Sequence, residues 1–356
     1  MNCATLLLHS EAARDIAREI QLSLTTQQRQ RLAAARQVDP EAYEAYLKGI
    51  YFSNKRSAPN FKRAIEYFQQ AIEKDPNYAL AYSGLSDALL GQIFTGTPSQ
   101  KVRERATRTA LKSVELDPSL PEVHNSLAGI REFYDWDWPS AEREYQRAIE
   151  LNQSFAAAHQ DYAIFLALQG PLRSGFFRGS AIAGSRSLVA LCPDYILCLD
   201  FGFARRYDQA IAKCRQALEL DPDFLHAHGN LAGIYESMGK YDQAIEEYAK
   251  SAAMAGETPA RLAELRKAFR QVGIKVYWRK QLELEEEQPG GTSDPYEVAS
   301  LYCRLGETNQ ALEWLQKAYK ERSPRMEELK EEPAFDNLRS DPRFGDFLRR
   351  VGLLQR

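Results

Sequence analysis

Residues 223–256 constrain this chain more than any other stretch. They read as two amphipathic helices around one tight turn. Leu231, Ala232 and Tyr235 form the apolar stripe of the first helix, and Ala244, Ile245 and Tyr248 that of the second. Met238-Gly239-Lys240-Tyr241-Asp242 is the break, with Gly239 placed to stop a helix. The same pattern recurs along the chain at a period of roughly 34 residues. The predicted fold is therefore all-α, a right-handed superhelix of stacked helix pairs. Each unit of such an array contacts only its neighbours, so 356 residues need not divide into two or three ordinary domains.

The alanines that anchor the second helices set the register: Ala64, Ala106, Ala141, Ala210, Ala244 and Ala311. Successive differences are 42, 35, 69, 34 and 67. The two large gaps are each about twice the period, which predicts disguised anchors near Gly175 and Trp278 and eight units in all. The 42-residue step has its source in Gly91 to Gln100, where Gly96 and Pro98 lengthen a turn. Asp75-Pro76, Asp117-Pro118 and Asp221-Pro222 punctuate the repeats, because proline disfavours helix for the residue before it. Asn152-Gln153 replaces the pair in the third repeat. Trp136 and Trp138 in that repeat's turn read as inter-helix packing.

Five segments follow. Residues 1–39 are a helical connector, with Ser10 as an N-cap and Ala13, Ile16, Ala17 and Ile20 at helical spacing. Residues 40–170 are a first block of repeats, and 204–322 a second. Between them, 171–203 is anomalous. No Asp or Glu occurs from Asp161 to Asp194, and Gly170, Gly175, Gly179 and Gly184 interrupt what should be helix. This stretch is either a degenerate repeat or a frame-displaced segment, since removing one base from a plausible coding sequence restores an ordinary repeat turn. The array should behave as two blocks joined there. Residues 323–356 form a helical cap, in which Glu332-Pro333 and Asp341-Pro342 suit helix starts whose apolar faces cover the end of the solenoid.

Net charge is -3, which argues against direct nucleic-acid or anionic-membrane binding by electrostatics. Cys3, Cys192, Cys198, Cys214 and Cys303 are an odd set without C-x-x-C, and read as free packed thiols in a reducing setting. No run has the length of a membrane span. Met1 to Leu8 is a poor secretory signal, because Glu11, Arg14 and Asp15 follow it closely. A cytoplasmic location is expected.

Residues 230–235 with 239–244, and 306–311, resemble tetratricopeptide repeats, and the likeness spans about Pro40 to Arg322. A narrower likeness rests on Tyr43 to Gly49, Lys62 to Phe68, Trp136-Asp137-Trp138 and Leu338 to Phe344. These are similar to the C-terminal half of bacterial signalling proteins that join a winged-helix domain, a Ser/Thr kinase or an adenylate cyclase to a TolB-like domain and such repeats. Glu11 to Leu24 resembles the tail of the TolB-like domain. The likeness carries over no effector activity, and 166–203 departs from it.

No catalytic set is legible. His124, His159 and His228 recur at one place in the repeat. Equivalent sites in stacked units lie on the order of 10 Å apart, too far for one zinc ion, so these are packing residues. No Walker loop, G-x-G-x-x-G or G-x-S-x-G elbow occurs. No cofactor or metal is expected, and the chain is read as no enzyme. A peptide groove remains, on the concave surface formed by the first helices. By register Asn125, Gly129 and Glu132 of the third unit face it, with Gly233 and Glu236 of the sixth. Relatives that grip a C-terminal carboxylate use cations there, and these positions hold none. A neutral or basic protein segment is the expected partner, and self-association stays open. Two functions compete: an interaction or sensory module of a bacterial signalling protein, or a fragment of an enzyme whose catalytic domain lies upstream.

Overall fold

The computed structural model describes residues 38–55, 57–92, 100–169, 193–286 and 294–354. Helices pair in chain order. The first three pairs are α1 (Pro40–Ser53) with α2 (Ala58–Lys74), α3 (Ala79–Gly91) with α4 (Gln100–Leu116), and α5 (Pro121–Ile130) with α6 (Trp138–Leu151). A π-turn over Arg131–Asp135 extends α5. Next come α7 (Ala156–Leu168), then α8 (Pro193–Phe203) with α9 (Tyr207–Leu220), and α10 (Leu225–Ser237) with α11 (Tyr241–Met254). The last pairs are α12 (Pro259–Val272) with α13 (Ile274–Glu286) and α14 (Pro295–Leu305) with α15 (Thr308–Glu321). Two 3-10 turns, Pro324–Lys330 and Pro333–Leu338, precede α16 (Pro342–Val351). No strand occurs among the described residues, and the architecture is the all-α superhelix expected.

The register is reproduced in the core. All six anchor alanines are fully buried, and Trp278 is buried within α13. The anchor expected near Gly175 lies outside the described residues, as do residues 1–37 and most of the anomalous stretch.

The punctuation has a common mechanism. Asp75, Asp117, Asn152 and Asp221 each accept a hydrogen bond from the backbone N–H two residues on, at 3.0–3.2 Å. Such Asx turns release the chain from one helix and aim it into the next. Asn152 does the work of aspartate without the following proline. In four pairs the turn contains one left-handed residue: Trp136 (φ 54), Arg205 (φ 57), Gly239 (φ 72) or Gly306 (φ 85). Glycine adopts this conformation freely, whereas Trp136 and Arg205 carry a cost of about 1–2 kcal/mol each.

Phe68 of α2 is fully buried between α1 and α3. A Cβ on either Gly49 or Gly84 would stand 2.5 Å from its ring. The two glycines therefore make the slot that joins repeats one and two. Gly84→Ala is expected to cost about 1–3 kcal/mol by overpacking. Gly345→Ala on α16, where a Cβ meets nothing within 4 Å, should be neutral or slightly stabilising. Urea unfolding of the two variants checks the contrast.

Two expectations need correction. Cys198 and Cys214 are joined as a disulfide, with Cα atoms 5.1 Å apart. They face each other across the α8–α9 pair, a geometry that a search for C-x-x-C spacing does not sense. Cys303 is the buried free thiol among the described residues. The C-terminal cap also differs. Glu332 and Asp341 do cap helix starts, accepting from the N–H groups of Ala334 and Arg343. The first of those helices is 3-10, and the turn over Pro324–Lys330 was not foreseen. More importantly, the cap covers more than the array's end. Phe335, Phe344, Phe347 and Leu348 share one core with Trp136, Trp138, Tyr145 and Phe165 of repeats three and four.

Candidate peptide-binding surface

The first helices of successive pairs pack side by side, α3 on α5 and α5 on α7. Ser83 and Ser126 share a hydrogen bond of 2.6 Å between α3 and α5, and Asn125 donates to Asp161 at 2.8 Å between α5 and α7. These polar rungs hold the inner helices at fixed spacing. α1 presents Tyr43, Leu47 and Tyr51 to solvent, at 40%, 48% and 58% exposure.

The inner wall segregates charge. Helices α3, α5, α7, α8 and α10 contain no lysine or arginine, yet they carry Asp87, Glu122, Asp161, Asp194, Asp200 and Glu236. Cations sit on the second helices, with Lys101, Arg103, Arg105, Arg108 and Lys112 on α4 alone. The acids crowd one another. Asp87 keeps solvent contact, but surrounding protein and then Asp161 and Glu122 raise its carboxyl, against a hydrogen bond from Ser126. Burial likewise raises Glu122. Like charges at this spacing favour the neutral form until a cation arrives.

The five positions read from the register fall as follows. Asn125 is half-buried, and its Oδ1 has no hydrogen-bond partner. Gly129 is buried, and a Cβ there would come within 2.8 Å of Leu90. Glu132 is buried in the π-turn, accepting from the Tyr145 hydroxyl at 2.5 Å. Gly233 is half-buried beside Tyr248. Glu236 accepts from Tyr248 at 2.9 Å and from Arg304 Nε at 2.5 Å. Glu132 and Glu236 are thus engaged by the chain itself. Asp87, Glu122, Asp161 and Tyr43 were missed. The missing cations of the first helices were a readable signal for the acids.

The histidines serve packing. Nε2–H of His124, His159 and His228 donates to the carbonyl six residues earlier, at 2.9–3.0 Å. Nδ1 of His124 meets Glu144 at 2.6 Å, and that carboxylate raises its pKa. His228 makes the matching contact with Glu247. Each ring staples a first helix to the preceding turn. Among the described residues, no cluster of three or more His, Cys, Asp or Glu is arranged for a metal. No helix among them is long and apolar enough to cross a membrane.

Tetratricopeptide repeat families match residues 55–92 and 204–268. Superkiller protein 3 of Schizosaccharomyces pombe (strain 972 / ATCC 24843) is 26% identical over 246 residues. That match covers 63% of this chain, and the chain spans 17% of that relative's length. Among solved structures, MamA is 18% identical, covering 66% of this chain and 97% of its own, with a TM-score of 0.26. YrrB, described as a tetratricopeptide repeat protein with an unusual peptide-binding site, is 16% identical. It covers 69% of this chain and 99% of its own, with a TM-score of 0.27.

Proposed function

This chain carries tetratricopeptide repeats, and from that premise we infer that it is a non-catalytic interaction scaffold whose inner wall takes an extended neutral-to-basic segment of a protein partner. Tetratricopeptide repeat proteins are generally protein-interaction scaffolds. The observation that supports the choice of partner is the run of five inner helices without a lysine or arginine. A cationic side chain entering beside Asp87 and Asp161 relieves repulsion that the free wall bears. The exposed Tyr43, Leu47 and Tyr51 offer apolar and ring contacts next to those acids. Asn125, Gly129, Glu132, Gly233 and Glu236 mark the course of the wall, and Asp87, Glu122 and Asp161 supply its charge. We read the array as the interaction half of a bacterial signalling protein of the TolB-like kind.

The test uses the full chain and two labelled peptides of about 12 residues, one rich in lysine and one in glutamate, followed by fluorescence anisotropy. The basic peptide should bind, and its affinity should fall as salt rises from about 0.05 to about 0.5 M. Asp87→Lys with Asp161→Lys should weaken it about tenfold or more, the loss of roughly one charge-pair contact. Equal binding of both peptides, or indifference to the double variant, refutes the reading.

A further inference from the structure

The C-terminal region folds back on the array and makes two kinds of contact with it. The first is at the turns. Trp136, one of three non-glycine residues in left-handed conformation among the described residues, lies 5.5 Å from the Tyr319 ring and under the guanidinium of another, Arg322, at 4.4 Å. Arg205, the third, pairs with Asp336 at 2.6 Å. The C-terminal region thus contacts both strained turns that lie earlier in the array. The second contact is at the register positions themselves. Glu132 meets Glu327 of the first 3-10 turn, and Glu236 meets Arg304 of α14.

We propose that residues 324–354 are an internal occupant of the inner wall, latched onto the third repeat by the buried, protonated carboxyl pair Glu132 and Glu327.

The two carboxyls are 1% and 4% exposed and come from segments nearly 200 residues apart. Two buried carboxylates in contact cannot both stay ionised without a cation between them. The groups that face them supply none. Tyr145 of α6 donates to Glu132, and Asp161 of α7 and Glu328 of the block add negative charge. Arg325 is the cation that acts on Glu327, and its guanidinium is engaged by Glu328 and Glu297. The pair therefore holds on to its protons, and the Glu327 hydroxyl donates to Glu132. Burial, then Asp161, pushes Glu132 up to about 8, while burial, then Glu132, pushes Glu327 well above the usual carboxylate range.

The sign follows. Both values rise on docking, so the docked state keeps a proton that the undocked state gives up above the ordinary value of 4.5. Docking is complete at mildly acidic pH and weakens as pH climbs toward about 8, by up to about tenfold per unit. Release bares Glu132 on the wall of repeat three. Only this last consequence rests on the peptide-binding reading.

Hydrogen exchange of residues 324–354 in the full chain, corrected for the intrinsic pH dependence of exchange, reads the latch directly. Protection should fall steadily from about pH 5.5 to about pH 9. Glu327→Gln keeps a donor that cannot ionise and leaves Glu132 as the one titrating carboxyl of the pair, so its slope should be shallower than that of the wild type. Glu132→Gln should make the slope shallower too. A wild-type profile without slope, or the wild-type slope persisting in both variants, overturns the proposal. Basic-peptide binding measured in parallel separates the two ideas. A flat latch with intact binding removes only this inference, and a working latch without binding removes only the reading of the wall.

Discussion

Trp138→Ala is expected to destabilise the full chain by about 3–5 kcal/mol, the range for emptying a buried aromatic site. Trp138 opens α6 and is 2% exposed. Its indole N–H donates to the Val351 carbonyl at 2.8 Å, and its ring lies against Gly352. Gly352 is left-handed there (φ 81), and a Cβ would stand 3.1 Å from the indole nitrogen. Truncation removes packing and leaves a buried carbonyl without a donor. Trp138→Phe separates the two, since it keeps most of the ring and loses the N–H. It should cost about 1–3 kcal/mol, the penalty of the orphaned acceptor. Urea unfolding gives both values, and a cost below about 1 kcal/mol for the alanine variant would mean that the block is not anchored through this residue.

Arg304→Met carries the second large effect. The Arg304 guanidinium donates to Glu236 at 2.5 Å and to Ser300 at 2.6 Å, with Glu332 at 3.9 Å. The side chains of Arg304 and Glu236 are only 16% and 14% exposed. Removing one partner leaves an uncompensated charge in a poorly solvated site, at a cost of about 3–5 kcal/mol. The pair itself contributes little beyond an apolar replacement of similar volume. Arg304→Met with Glu236→Leu should therefore recover most of the loss. A double-mutant cycle by thermal or urea unfolding measures this. A double variant as unstable as Arg304→Met alone would show that the cost lies in lost packing.

Local pattern made the repeat unit legible. Ala64, Ala106, Ala141, Ala210, Ala244 and Ala311 are buried because only a small residue fits where two helices of a pair approach, and such a rule shows in sequence spacing. Trp278 followed from the arithmetic of the period alone. The closure of the array was not legible. Curvature is a sum of small rotations per repeat, and nothing in the pattern of one unit says where the eighth meets the third. Trp136 and Trp138 read correctly as packing residues, but their partners Tyr319 and Val351 lie far along the chain. Glu132 looked like a wall residue by register, and its burial depends on a 3-10 turn that the sequence reading did not anticipate. Asn125 depends only on its own repeat and its neighbour, where it donates to Asp161.

An open stack of helix pairs behaves as a spring. Each junction yields a little, and pulling the ends lengthens the coil smoothly. The bond from Trp138 to Val351 joins points 213 residues apart and turns most of that coil into a clasped loop. Force applied to the C-terminus would pass straight to α6 and leave the intervening repeats unloaded. Repeats one and two lie outside the clasp, and repeat two is tied to it only by Arg103, which donates to the Glu321 carbonyl at 2.6 Å. Extension should therefore be slight at first, then abrupt when the clasp parts, releasing the stored length of five repeats at once.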